Sequence, residues 1–453
     1  MDKLIGYFYA KTTGLIANPN YLMLLAFFNA ALLMNFHSLY RTNLFAALLL
    51  LFFGFVSAVD FRFWWASLIN TVLAVYFFVP KFPRLANHSN IELVAGTIII
   101  VLLLMKIRKP DLRISGHLIT QIFRVSLVTI YFYTGFHKLN TDFLDSSVSC
   151  VNRINEYALE NFTGNKIILT RTASHLLQLA TLFVELILPF GFLWRKTRKA
   201  TAAVLLVFHG YLAFTVFADF SALACFMILG CLVDPGVKSL HPKTVFYLRI
   251  YLFFTVISLA ARPFLDRFLM AEKVPFLHGV IFNIGVLIFF IHYLRNYAAS
   301  ADETRPKKIT LPLLCVLIIS FWSMKSYIGL GNSGNLTMFS NLITEKSRSN
   351  HLLIDTKRTK IVNLEEDNLF ILELDNRLQY EKLQGYFLPV SEFKFKAANW
   401  AKRFKNIHCK LVYQGDTIKT ANLSETDFTK TDWWYRFVNF RKIQPDGACK
   451  CLW

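Results

Sequence analysis

From residue 21 to residue 322 the chain is a succession of apolar segments joined by short polar connections: Tyr21–Phe36, Leu44–Val59, Phe63–Val79, Ile91–Met105, His117–Lys138, Arg171–Trp194, Thr201–Phe217, Ser221–Val233, Val245–Ala261, Pro275–Leu294 and Ile309–Trp322. A backbone that enters a bilayer must satisfy its own amides, so segments of this kind are driven into helices, each needing about 20 residues to cross upright. Several are shorter than that and suit a re-entrant or interfacial position. The chain is 55% hydrophobic and 16% aromatic over 453 residues, more apolar surface than a soluble core hides. The expected fold is an all-α polytopic membrane helical bundle of about 9–11 spans over residues 1–323, with a small mainly β or α+β extramembrane domain at 324–453.

A formal net charge of +20 raises the question of nucleic acid. The basic residues gather between apolar segments, where topology and anionic lipid place them, so the expected partner is the lipid bilayer and not nucleic acid. Zinc-finger spacing, a P-loop and a dinucleotide glycine fingerprint are missing from the sequence, and no metal is expected. Residues 1–20 are too polar for a cleavable signal, which leaves insertion to the first apolar segments. Lys106, Arg108, Lys109 and Arg113 precede the fifth segment, and Arg195, Lys196, Arg198 and Lys199 follow the sixth. Placing both clusters in the cytoplasm puts the N-terminus inside and the C-terminal domain on the exoplasmic side. Lys238 with Lys243, and Arg295 with Arg305, Lys307 and Lys308, then also fall inside.

The fifth segment ends on Tyr131-Phe-Tyr-Thr-Gly-Phe-His-Lys-Leu-Asn140. At helical spacing Tyr131, Thr134, Gly135 and Lys138 share a face, so an amine lies beyond a strip of aromatic ring, hydroxyl and bare backbone. Desolvation favours the neutral amine, the form a general base requires; a lysine snorkelling to the headgroups fits the same spacing. The expected orientation brings the Asn87-His88-Ser89-Asn90 loop to the outer face with His137, Lys138 and Asn140. His209 lies within the seventh segment. In the sixth, Arg171, Ser174, Gln178, Thr181 and Glu185 recur at i, i+3, i+7, i+10 and i+14, a polar stripe that cannot face lipid. A mid-span carboxylate at Glu185 costs a few kcal/mol unless paired or protonated, so it should point into the bundle.

Beyond Trp322 the chain becomes charged, with strand-like alternation at Lys360 to Leu374 and at Lys410 to Lys419. Cys150, Cys409, Cys449 and Cys451 fall on the oxidising side, where a disulfide can form whose pairing the spacing does not fix. Cys225, Cys231 and Cys315 are in apolar segments and are expected to pack.

Three pieces in order, Asn87-His88-Ser89, Tyr131-Phe-x-x-Gly-x-x-Lys138-Leu139 and Phe208-His209, resemble the horizontally transferred transmembrane domain shared with vitamin K-dependent γ-carboxylases. Ser340-Asn341-Leu342 with Thr344-Glu345, then Ser349-Asn350-His351-Leu352-Leu353, resembles the stretch that follows the spans in bacterial members, so the likeness covers about residues 1–353. The resemblance implies a lysine base, Lys138, that deprotonates a reduced quinone of the vitamin K type, with His88 supporting it and His137 beside it. Asn87, Tyr131, Thr134, Asn140, His209 and Glu185 are the candidate substrate-binding residues. In the carboxylases the quinol anion and dioxygen then drive carboxylation of a protein glutamate, which implies a protein substrate on the exoplasmic side. The chain departs from the pattern at His137, where the carboxylases have a second lysine, and in its shorter C-terminal part. Two other readings stay open: a non-catalytic lipid- or quinone-binding protein of the same fold, and a transporter using Glu185 and His209 as a proton relay.

Overall fold

The computed structural model describes residues 18–109, 116–214, 218–233, 240–268, 273–297, 310–346 and 348–445. Arg113, Lys238, Arg305, Lys307, Lys308, Cys449 and Cys451 lie outside these residues. Every apolar segment named above contains a helix. In chain order these are α1 (Pro19–Leu33), α2 (Phe36–Thr42), α3 (Leu44–Val59), α4 (Trp64–Phe78), α5 (Asn87–Arg108), α6 (Gly116–Phe136), α7 (Thr141–Leu144), α8 (Cys150–Thr163), α9 (Arg171–Leu182), α10 (Arg198–Ala213), α11 (Ala218–Leu232), α12 (Pro242–Phe268), α13 (Lys273–Arg295), α14 (Thr310–Met324), α15 (Thr356–Thr359) and α16 (Val390–Arg403). The chain is mostly helical with a small C-terminal antiparallel sheet.

Fewer helices than expected have the length of a span. Among the described residues three are long and apolar enough to cross a membrane, Asn87–Met105, Arg171–Phe192 and Pro242–Pro263, or up to four if α1 and α2, bent by 47°, form one span. One break is local: Asn43 ends α2 and caps α3 by accepting the Ala46 amide with its side chain, which interrupts the helix there.

The chain divides into two compact units that do not follow chain order: residues 1–128, 157–166 and 188–316 form the first, and 129–156, 167–187 and 317–453 the second.

The first unit is helical, and its core is aromatic. Phe27 of α1 stacks on Tyr251 of α12 at 4.6 Å and tilts against Phe289 of α13 at 4.8 Å. Gly285 on α13 lets the helices close, since a Cβ there would lie 3.2 Å from the Tyr251 Cα. Buried amides lock the apolar surfaces in register: Asn70 donates to Asn29 Oδ1 at 2.8 Å and to the Leu50 carbonyl at 3.0 Å. Arg198, one of the cations after the sixth segment, is buried and donates to the Phe192 carbonyl at 2.9 Å.

The second unit contains a four-stranded antiparallel sheet, β1 (Asn368–Leu374), β2 (Phe387–Pro389), β3 (Cys409–Tyr413) and β4 (Asp416–Thr420), in the order β2-β1-β3-β4. The alternation at Lys410 to Lys419 is a hairpin, turned by Gln414 and Gly415, both at positive φ as a two-residue loop of this hand requires. The other alternating stretch becomes strand only from Asn368. Leu369, Ile371, Leu388 and Leu411 meet Phe393, Ala397 and Trp400 of α16 in a core of their own.

Candidate functional site

The last turn of α6 and the run from Arg171 to Ile187 both belong to the second unit. Of the five residues of the polar stripe on that run, Ser174, Gln178 and Glu185 are buried and Thr181 is half-buried, but Arg171 at its start is exposed, as are Leu176, Leu179, Phe183 and Ile187. After Leu182 the helix widens into a π-turn over Phe183–Ile187. Pro189 has no N–H to offer the Glu185 carbonyl four residues back, which disfavours the regular α-helical pattern here. The wider turn carries Glu185 at its centre.

Opposite lies Gly135. A Cβ there would stand 2.7 Å from Leu186 Cγ and 3.0 Å from Glu185 Cβ, so only glycine lets the two helices approach this closely. Lys138 follows one turn later, past the end of α6, where the chain tightens through bonds from the Lys138 amide to Gly135 and from the Leu139 amide to Phe136. Its Nζ donates to Glu185 Oε2 at 2.6 Å and to the Thr134 carbonyl at 3.2 Å, and its side chain is 4% exposed. Thr134 in turn donates its hydroxyl to the Tyr131 carbonyl at 2.8 Å. The amine is thus out of water, as its position in the sequence suggests, and it is held by a carboxylate 47 residues away. Two charges that a buried site could not tolerate singly neutralise each other. Chemically the pair is a net-neutral holder of one proton that can take up a second.

Around this pair the polar groups are tied into the fold. His137 is fully buried; Nε2 donates to the Asn335 carbonyl at 3.1 Å, so Nδ1 is the acceptor for the Tyr327 hydroxyl at 2.8 Å. Both ring nitrogens are used. Asn140 uses all four of its hydrogen-bonding positions: Nδ2 donates to the His137 and Ser340 carbonyls at 2.8 and 2.6 Å, and Oδ1 accepts from the Phe143 amide at 2.8 Å and from Asn350 Nδ2 at 3.3 Å. Asn341 bridges the Cys150 amide and the Val148 carbonyl at 2.8 and 3.0 Å. His351 donates Nε2 to the Phe136 carbonyl at 2.9 Å and accepts at Nδ1 from the Leu353 and Ile354 amides at 3.1 and 3.0 Å. The Ser340–Leu353 stretch singled out in the sequence is therefore a clasp over the end of α6. In this arrangement Asn140 serves that clasp and His137 is held by Tyr327 and Asn335, with no side-chain hydrogen-bonding position left for a ligand on either.

The remaining candidates divide between the two units. Tyr131 is buried on α6. Asn87 and His88 open α5 in the first unit, and His209 is buried on α10 of the same unit, its ring 5.4 Å from those of Phe208 and Phe220. Two participants escaped sequence reasoning, Tyr327 and Asn335 as partners of His137, while His351 was marked by its motif without its role at the α6 end. The Lys138–Glu185 pairing had a usable signal, because two ionisable residues in apolar segments tend to find each other. A buried cation on α6 itself, Arg124, was likewise missed; it donates Nε to the Cys231 carbonyl at 3.0 Å.

On the surface of the second unit an open cleft of about 620 Å³ is lined by Thr141, Asp142, Asp145, Val148, Arg348 and His351 among others. Cys150 is disulfide-bonded, and Cys225, Cys231, Cys315 and Cys409 are free. Among the described residues no group of three or more His, Cys, Asp and Glu could hold a metal ion. Comparison of the chain with protein-family models, curated proteins and solved structures gives no match.

Proposed function

We propose that this chain is a polytopic membrane enzyme that removes a proton from a lipophilic acid, with Lys138 and Glu185 acting together as the base. The substrate class suggested by the carboxylase-like motifs is a quinol of the vitamin K type. The observation that carries the proposal is the buried 2.6 Å contact between Lys138 and Glu185, made possible by Gly135 and set on a π-turn. In the step proposed, the quinol O–H bond breaks and its electron pair stays on oxygen. The proton goes to the Glu185 carboxylate, or to Lys138 once its own proton has passed to Glu185. Either route takes the pair from net neutral to net +1, and the adjacent cation stabilises the quinol anion. The proposal does not draw on Asn87, His88 or His209.

The basic connections support a cytoplasmic N-terminus and an exoplasmic C-terminal part, and the Cys150 disulfide is in keeping with the oxidising side. The test uses the full chain in detergent micelles with a panel of reduced quinones, recording dioxygen uptake, since a hydroquinone anion is oxidised faster than the neutral quinol. Wild type should consume dioxygen in a quinol-dependent manner and Lys138→Ala and Glu185→Gln should not; equal rates for all three sink the idea. Labelled carbon dioxide added to the same assay reads out whether the anion drives carboxylation.

One observation favours a second reading. Lys138 and Glu185 satisfy each other while His137 and Asn140 are fully engaged by the fold, as in a protein that binds an apolar quinone or lipid without turning it over. That protein would gain thermal stability from the ligand even with Lys138 replaced, because mass-action stabilisation needs affinity and not a base.

A further inference from the structure

We propose that the loop from Leu352 to Ile361 is a bilayer-contacting element whose occupant is the headgroup layer of a phospholipid membrane. This rests on the reading of the apolar helices as spans. The loop is closed at its neck. The Leu352 amide donates to the Leu139 carbonyl at 2.9 Å, just past α6, and the Ile361 and Val362 amides both donate to the Ile328 carbonyl at 3.2 Å, just past α14. The Tyr327 and His351 rings, at 5.2 Å, bring the two sides of the neck together. Gly329, at positive φ, leaves room for the Val362 carbonyl where a Cβ would not fit. A loop of this length with touching ends is a compact unit, not a free tether.

Its inward side chains hold it in place. Thr356 is buried, the Thr359 hydroxyl donates to the Tyr327 carbonyl at 2.9 Å, and the enclosed Lys360 ammonium is ion-paired with Glu365 and Glu366. His351 holds the Leu353 and Ile354 amides. Outside, beside the polar Asp355, Lys357, Arg358 and Thr359, it leaves large apolar side chains: Leu352, Leu353 and Ile361 are 52%, 70% and 80% exposed. Single exposed leucines are ordinary, but three large apolar side chains exposed on one short anchored loop are a concentration that water penalises. The helix leading to the neck, α14, also exposes Leu317, Ile318 and Phe321.

Between the apolar residues stand two exposed cations, Lys357 and Arg358, the latter only loosely paired with Asp355 at 3.6 Å. Cations flanked by aliphatic side chains match a phospholipid surface, where phosphates lie above the start of the acyl chains.

The test places nitroxide labels on Leu353→Cys, Ile361→Cys, Ile318→Cys and the exposed Lys405→Cys in the full chain, reconstituted in nanodiscs of phosphatidylcholine with phosphatidylglycerol. Collision with dioxygen, which partitions into lipid, is compared with collision with a water-soluble nickel chelate. Labels at 353 and 361 should favour dioxygen by about threefold or more over the label at 405. Water-like labels at 353 and 361 beside a lipid-like label at 318 overturn the loop proposal alone; water-like values at all three overturn the membrane reading with it. Adding Lys357→Glu and Arg358→Glu should lower the ratio at 353, and an unchanged ratio removes the headgroup contact from the proposal.

Discussion

Replacing Lys138 with methionine removes a charge while keeping most of the side-chain volume. Glu185 then stays where it is, without the cation 2.6 Å away. Breaking a buried pair by removing one partner costs about 3–5 kcal/mol, because the survivor keeps its desolvation penalty and loses its compensation. Surface pairs are worth only about 0–1 kcal/mol, but these side chains are 4% and 11% exposed, so solvent screening gives little relief. Set against total stabilities of about 5–15 kcal/mol, the loss is severe. Glu185→Leu alone should cost a similar amount. The double variant Lys138→Met with Glu185→Leu removes both charges and should return to within about 1–2 kcal/mol of wild type, since apolar replacements of buried pairs are often neutral or stabilising. The assay is denaturant unfolding in mixed micelles followed by tryptophan fluorescence, run as a double-mutant cycle. Single-variant losses near 1 kcal/mol, or a double variant whose loss is the sum of the two, would refute the claim that this pair is buried and mutually compensating. Under the proposed function the double variant is stable and inactive, which separates folding from chemistry.

Gly135→Ala should cost about 1–3 kcal/mol by overpacking, and adding Leu186→Ala should recover part of it by vacating the space 2.7 Å from the new Cβ; the same unfolding assay checks both. Burial holds the His351 imidazole below its usual pKa, with the Nε2 bond to the Phe136 carbonyl opposing. The folded chain therefore binds that proton less readily than the unfolded one, so the stability is complete above about pH 6.5 and is lost as pH falls through the folded value. Amide exchange at Leu353 and Ile354, corrected for its intrinsic pH dependence, should rise on acidification below that point, and His351→Asn should abolish the pH dependence. Asn140→Asp puts acceptors against the His137 and Ser340 carbonyls in place of two donors; it should be at least as destabilising as Asn140→Ala, several kcal/mol by the cost of buried unpaired groups, read as a fall in melting temperature.

Much of this organisation is legible residue by residue. The apolar segments were legible as helices from their length, since runs of more than about 10 apolar residues exceed ordinary strands. The stripe Ser174, Gln178 and Glu185 is buried because helical periodicity gathers it on one face, opposite Leu176, Leu179 and Phe183. Span number was less legible: hydropathy does not register where a side-chain cap such as Asn43 ends one helix and begins another. His137 could be marked as unusual from its place beside Lys138, but its partners Tyr327 and Asn335 are 190 and 198 residues away, and local pattern carries no trace of them.

The sequence by itself determined the mainly helical class, the buried polar face and the isolated amine at the end of an apolar run, since each follows from composition and period within one segment. Only the tertiary structure decided that this amine meets Glu185, that Gly135 is the point of close approach, and that Asn140, Asn350 and His351 clasp the helix end. Those outcomes depend on which distant surfaces pack together, and pairing across a chain is fixed by shape and by the cost of leaving buried charges and amides unmatched.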